Sequence, residues 1–124
     1  MKFALPLAAV AVLPILVAQP ALAQRAIDIR ARTAGDLADL CGANPKDPAG
    51  DAKINYCHGF TQGAVDVELR HTSDKKTFCF PTPAPTRTAT LAEFVNCVRA
   101  MPAHRTESAL DGFFHFLGER FPCK

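Results

Sequence analysis

Apolar side chains return along this chain at steps of three and four, the spacing that lines one face of an α-helix, and little of it alternates as a strand would. Thr33-Ala34-Gly35-Asp36 reads as a helix start, with Thr33 capping backbone donors and Asp36 near the positive end of the dipole, and Leu37, Leu40 and Cys41 then share a face. The stretch 42–50 holds Pro45, Pro48 and two glycines and reads as a loop. A second helix is predicted from near Asp51 to about Leu69, with Ile54, Cys57, Phe60, Ala64 and Val67 on its inner face. Gly59 and Gly63 sit four apart in it, where each costs about 1 kcal/mol relative to Ala, and they predict close approach of another helix. The stretch 70–87 is polar and then proline-rich, with Pro81, Pro83 and Pro85 forcing an extended crossing segment. Thr90-Leu91-Ala92-Glu93 reads as a capping box opening a third helix, whose face carries Leu91, Phe94, Val95, Val98 and Met101 and which Pro102 ends. A fourth helix starts around Thr106 and carries Leu110, Phe113, Phe114, Phe116, Leu117 and Phe121. The expectation is a small all-α domain of four helices.

The amino-terminal 23 residues stand apart from that pattern. Met1 and Lys2 give a short positive end, residues 3–18 carry no charge, and Ala21-Leu22-Ala23 places small residues where a signal peptidase reads them. A membrane-spanning helix needs about 20 apolar residues, and this stretch is shorter and interrupted by Pro6, Pro14 and Pro20. The expectation is a cleaved signal peptide, 1–23, and an exported, periplasmic domain, 24–124, starting at Gln24. The whole chain has 124 residues and a formal charge of +2, without a run of either sign that would track a nucleic-acid backbone. Nine phenylalanines against one tyrosine and no tryptophan put the aromatic mass into a packed core.

All five cysteines follow the signal segment, so in an oxidising compartment they read first as disulfides. An odd count leaves one thiol over, and spacing alone allows fifteen arrangements of two bridges. The helices narrow the choice. Cys41 closes the first helix and Cys57 lies early in the second, so an antiparallel hairpin brings them together. Cys79 opens the extended segment and Cys123 is penultimate, so joining them pins the crossing to the end of the fourth helix. Cys97, within the third helix, is then the free thiol, read as a small buried apolar group.

Catalytic chemistry is sparse. No Cys-x-x-Cys pair suggests redox or haem chemistry, and no glycine-rich loop would cradle a phosphate. Cys57-His58 are helix neighbours about 100° apart and would need further ligands to hold zinc. His71, His104 and His115 read as solvated surface residues, and Asp36/Asp39 and Asp66/Glu68 as solvated helix faces. A Cys97–His115 nucleophilic pair is geometrically conceivable across the last two helices, but apolar neighbours raise a thiol pKa instead of activating it. No catalytic, cofactor-binding or metal-binding residue is expected, and no cofactor.

The motifs, taken in order, resemble a known family. Thr33-Ala34-Gly35-Asp36-Leu37 leading to Leu40-Cys41, Cys57 with Phe60-Thr61-Gln62-Gly63-Ala64-Val65-Asp66, Phe78-Cys79-Phe80-Pro81, Met101-Pro102 with Ala109, and Arg120-Phe121-Pro122-Cys123 resemble the Rap/Tai family of immunity proteins across about residues 33 to 123. The chain departs from that pattern at Phe60, where the family usually carries tyrosine, and at Cys97. The resemblance implies a small periplasmic helical protein, not an enzyme, that neutralises a peptidoglycan amidase toxin delivered by type VI secretion, and it suggests a homodimer. After cleavage neither membrane nor nucleic acid is an expected partner.

An inhibitor that caps a cleft needs a rigid scaffold and a protruding loop. Residues 44–50, 70–76 and 103–106 are the candidates. The segment 70–76 is favoured for its mixed charges, with Arg70, His71, Asp74, Lys75 and Lys76 as the toxin-binding residues. Two other classes compete: a small acid-activated periplasmic chaperone, and a thiol enzyme using Cys97.

Overall fold

The computed structural model describes residues 28–71 and 75–124. The signal segment, Gln24 and Asp74 lie outside the described residues. Four α-helices form the domain: α1 (Ala34–Cys41), α2 (Gly50–His71), α3 (Arg87–Ala100) and α4 (Ala109–Arg120), with a 3-10 turn (Pro102–Thr106) between the last two. Among the described residues there is no strand, and the only β-type contact is an isolated bridge between Thr33 and Ser108. No helix among them is long and apolar enough to cross a membrane.

Helix α1 starts where the sequence places it. Thr33 Oγ1 accepts from the Asp36 amide at 3.1 Å, and the Asp36 carboxylate accepts from the Thr33 and Arg32 amides at 3.1 Å each, a complete capping box. The Thr33 amide holds the Asp36 carboxyl below the ordinary carboxylate range. Although only two turns long, α1 is the hub, packing on α2, α3, α4 and the 3-10 turn. Its Ala34, Leu37 and Ala38 are fully buried.

Two helix starts differ from the sequence reading. Helix α3 begins four residues before the expected Thr90 box, because Thr86 caps the Ala89 amide at 3.2 Å and no obstacle to helical backbone intervenes after Pro85. Thr90 is therefore inside the helix, buried, its hydroxyl donating to the Thr86 carbonyl at 3.1 Å, while Glu93 turns outward to receive Arg120. Pro102 does end α3, but it then opens the 3-10 turn, and α4 waits for Ser108, whose hydroxyl accepts from the Asp111 amide at 3.2 Å. Between α3 and α4 the core is aromatic: Phe94 meets Phe113 edge-on at 5.3 Å and Phe116 at 5.5 Å between ring centroids.

The largest correction concerns α2. Of the five residues expected on its inner face Cys57 is buried, Phe60 packs partly buried against the core, Ile54 and Ala64 are half-buried, and Val67 is 59% exposed. Length explains the exposed end: α2 has 22 residues and its chief helical partner α1 has eight, so at 1.5 Å per residue the last turns of α2, beyond Val65, run past their support. Gly59 and Gly63 do not admit another helix either, since a Cβ on either would meet nothing within 4 Å. The close approach occurs instead at Gly112 of α4, where a Cβ would lie 2.5 Å from the Ala34 Cβ of α1.

Disulfides join Cys41 to Cys57 across α1 and α2, and Cys79 to Cys123 across the extended segment and the chain end, with Cα separations of 5.1 and 4.9 Å. The second is reinforced by the Cys79 amide donating to the Phe121 carbonyl at 2.8 Å and by Phe80 against Phe121. Phe78, between them and α4, is buried.

Candidate functional site

The last turns of α2 form an exposed surface among the described residues. Its last turns expose Val67 and Leu69, at 59% and 51%, followed by Arg70 and His71, also exposed. These two residues belong to the final turn of α2 and not to the loop in which the sequence placed them. Lys75 and Lys76, on the returning strand of chain, are exposed as well. The return is tied to the helix by the Thr77 hydroxyl, which donates to the Glu68 carboxylate. Val67 and Leu69, two apart on the helix, point to opposite sides of its end, with Arg70 and His71 following them on the same last turns.

Behind this tip, α2, the proline segment, α3 and α4 enclose an open groove of about 280 Å³ lined by Thr61, Val65, Phe80, Pro85 and Leu91 among others. Of its polar lining, Thr61 Oγ1 donates to the Cys57 carbonyl at 2.8 Å and Thr90 to the Thr86 carbonyl, while Arg87 stands at its edge. The groove therefore offers shape and mainly apolar contact, with Arg87 as its cationic group.

The other two candidate loops are bound into the fold. Within 44–50 the Asp47 amide donates to the Asn44 carbonyl at 3.0 Å and the Gly50 amide to the Asp47 carbonyl at 2.9 Å, and a Cβ at Gly50 would collide with the Asn44 carbonyl oxygen. Ala49 holds a positive φ of 62° to make that turn. Residues 103–106 form the 3-10 turn, held by Arg105 donating to Asp39 at 2.8 Å and by Thr106 donating to the Ala103 carbonyl at 3.1 Å.

Cys97 is a free thiol, partly buried on α3. It shares a small recess with His104, His115 and Glu119, so the conceivable Cys97–His115 neighbourhood is real. Its chemistry is unfavourable for attack, because burial first, and then the charges of Glu119 and Glu107, push the thiol pKa up. Cys57 is consumed by its disulfide and cannot join His58 as a ligand. His104 and His115, read from the sequence as solvated, instead converge on Glu107. The signal for this was the His104-x-x-Glu107 spacing followed by a histidine on the next helix, a pattern that gains meaning only once the 3-10 turn folds back on α4.

The family model of Rap1a immunity proteins matches residues 33–123. No curated protein and no solved structure matches the chain. The chain belongs to the Rap1a immunity protein family, and so to proteins that bind a secreted toxin.

Proposed function

We propose that this member of the Rap1a family is a periplasmic inhibitor of a peptidoglycan amidase toxin delivered by type VI secretion, and that it grips the toxin with the free end of α2 and the segment 70–76. The observation that carries the reading is the exposure of Val67 and Leu69 beside Arg70, His71, Lys75 and Lys76, on a helix otherwise anchored by a disulfide. Exposed apolar and cationic side chains on a projecting helix end offer a protein partner both apolar and charged contacts, Val67 and Leu69 on opposite sides of that end. In this reading the protein acts by occupation and not by turnover, and burial raising the Cys97 thiol pKa disfavours that residue as a nucleophile.

Purified mature protein should inhibit the amidase encoded alongside it stoichiometrically, with an affinity tighter than about 10 nM, or roughly 11 kcal/mol. Lys75→Glu with Lys76→Glu should slow association and weaken inhibition by about tenfold or more while leaving the fold intact. Unchanged inhibition would move the contact to 44–50 or 103–106, and failure to inhibit any peptidoglycan amidase of the same cell would remove the amidase reading.

A further inference from the structure

Two imidazoles meet one carboxylate on the side of the molecule formed by the 3-10 turn and α4. His104 Nδ1 contacts Glu107 Oε1, and His115 Nδ1 lies 3.3 Å from Glu107 Oε2. One ligand atom from each of the three residues lies within 4.8 Å of the others, and the two rings stand 5.1 Å apart. Helix capping does not require the arrangement. Ser108 caps α4, and the amide at the end of the 3-10 turn is taken by the His104 carbonyl, so neither imidazole serves a helix end.

The supports around the cluster are fixed. The Glu107 carbonyl accepts from the Ala34 amide of α1 at 2.9 Å, which locks its backbone to the hub helix. His115 Nε2 faces Glu119 Oε1 at 3.3 Å, one turn further along α4. A carboxylate on the outer nitrogen of an imidazole fixes the ring and the tautomer that leaves the inner nitrogen's lone pair available, the support found behind metal-bound histidines. His104 and Glu107 are partly buried, whereas His115 is about half exposed, so the cluster opens to solvent on one side.

We propose that His104 Nδ1, His115 Nδ1 and the Glu107 carboxylate form a binding site for a divalent transition metal of the zinc type, with Glu119 orienting His115. Two nitrogens and one carboxylate suit a borderline cation, not calcium or magnesium, which prefer all-oxygen sites. Around a tetrahedral zinc, ligand atoms stand about 3.3 Å apart, so small side-chain rotations bring these three into place and leave the fourth position to solvent. On binding, each neutral imidazole carries its proton on Nε2 and gives the Nδ1 lone pair to the metal. The contacts of both rings with Glu107 are thereby replaced by bonds through the shared ion.

The test is calorimetric titration of the oxidised mature protein with Zn²⁺ alone, in a Cys97→Ser background so that the neighbouring thiol supplies no ligand. One ion per chain should bind at micromolar affinity or tighter, on the order expected for a solvent-open site of three protein ligands. His104→Ala and His115→Ala should each weaken binding by about 100-fold, more than loss of a supporting partner typically costs, and Glu119→Gln by about tenfold. His58→Ala and His71→Ala should leave it unchanged. Binding that survives loss of both His104 and His115, or no binding at millimolar Zn²⁺, would overturn the site. Long-range ¹H–¹⁵N spectra give a second readout without disturbing any of these three ligands: Zn²⁺ should shift the Nδ1 signals of His104 and His115 and leave those of His58 and His71 in place. Shifts at His58 or His71 instead would also overturn it.

Discussion

Alanine at the helical glycines gives the sharpest check on the packing. At Gly59 and Gly63 an added Cβ meets nothing within 4 Å, so replacement by Ala gains helix propensity, about 1 kcal/mol at each site, with no steric cost. With no third residue shared between them the two gains should add to about 2 kcal/mol. For a domain of about 100 residues each kcal/mol is worth about 4–8 °C, so the double variant should melt roughly 8–16 °C higher. Gly112→Ala gains the same propensity, but its Cβ would stand 2.5 Å from the Ala34 Cβ, and neither atom can move without moving backbone. Overpacking of that kind costs about 1–3 kcal/mol, and the net result should be a loss or at best no gain. Urea denaturation of the oxidised proteins, followed by far-UV circular dichroism, reads both midpoints, and an unchanged slope certifies that only stability has moved. A lower midpoint for Gly59→Ala/Gly63→Ala would mean that the exposed face of α2 is covered in solution, and a higher one for Gly112→Ala that α1 and α4 do not touch as described.

Removing the Cys79–Cys123 bridge by double serine replacement should destabilise more than removing Cys41–Cys57. The two pairs are 44 and 16 residues apart, and in the chain-entropy model such closures are worth about 4 and 3 kcal/mol. Equal costs measured by urea titration would place the stabilisation in native packing and not in the unfolded chain. Acid should weaken the fold. The carboxyls of Asp36, held by the Thr33 amide, Glu93, held by Arg120, and Glu107, held by His104, all lie below the ordinary range when folded. A depressed folded pKa contributes stability that is present above the unfolded value of about 4 and is lost as pH falls through the folded one. Melting temperature should therefore drop progressively below about pH 4, and Asp36→Asn should flatten that drop; an unaltered acid slope in the variant would remove Asp36 from the account.

The helices were legible because their apolar faces repeat and because threonine, serine and proline mark their ends. The cysteine pairing followed from helix order alone. Two things were not legible, and for physical reasons. A capping motif is local: Thr90 with Glu93 spells a full capping box and Thr86 offers only its hydroxyl, yet the helix starts at Thr86, so the local pattern ranked the two wrongly. Burial is not local at all. The apolar periodicity of α2 is real, but a face is buried only as far as a partner extends, and the brevity of α1 leaves Val67 in solvent. The meeting of His104 and His115 on Glu107 was hidden similarly, since it depends on the angle at which the 3-10 turn returns to α4.

Rigidity in this domain is distributed in a way that suits the proposed inhibitor. Cys57 and Cys79 belong to different disulfides, so the chain between them leaves the core at one covalent anchor and re-enters it at another. The outward path is helix as far as His71, and Thr77 hydrogen-bonded to Glu68 closes the return. Within the described residues, the exposed Val67, Leu69, Arg70 and His71 are carried on helix and not on loop. Association costs about 0.5–1.5 kcal/mol for each side chain that must be immobilised, and a loose loop would add backbone ordering to that. Mounting Val67, Leu69, Arg70 and His71 on a helix end removes the backbone part for those four residues. Inhibition through this end of the molecule then draws first on Val67, Leu69, Arg70 and His71 in the positions that α2 gives them.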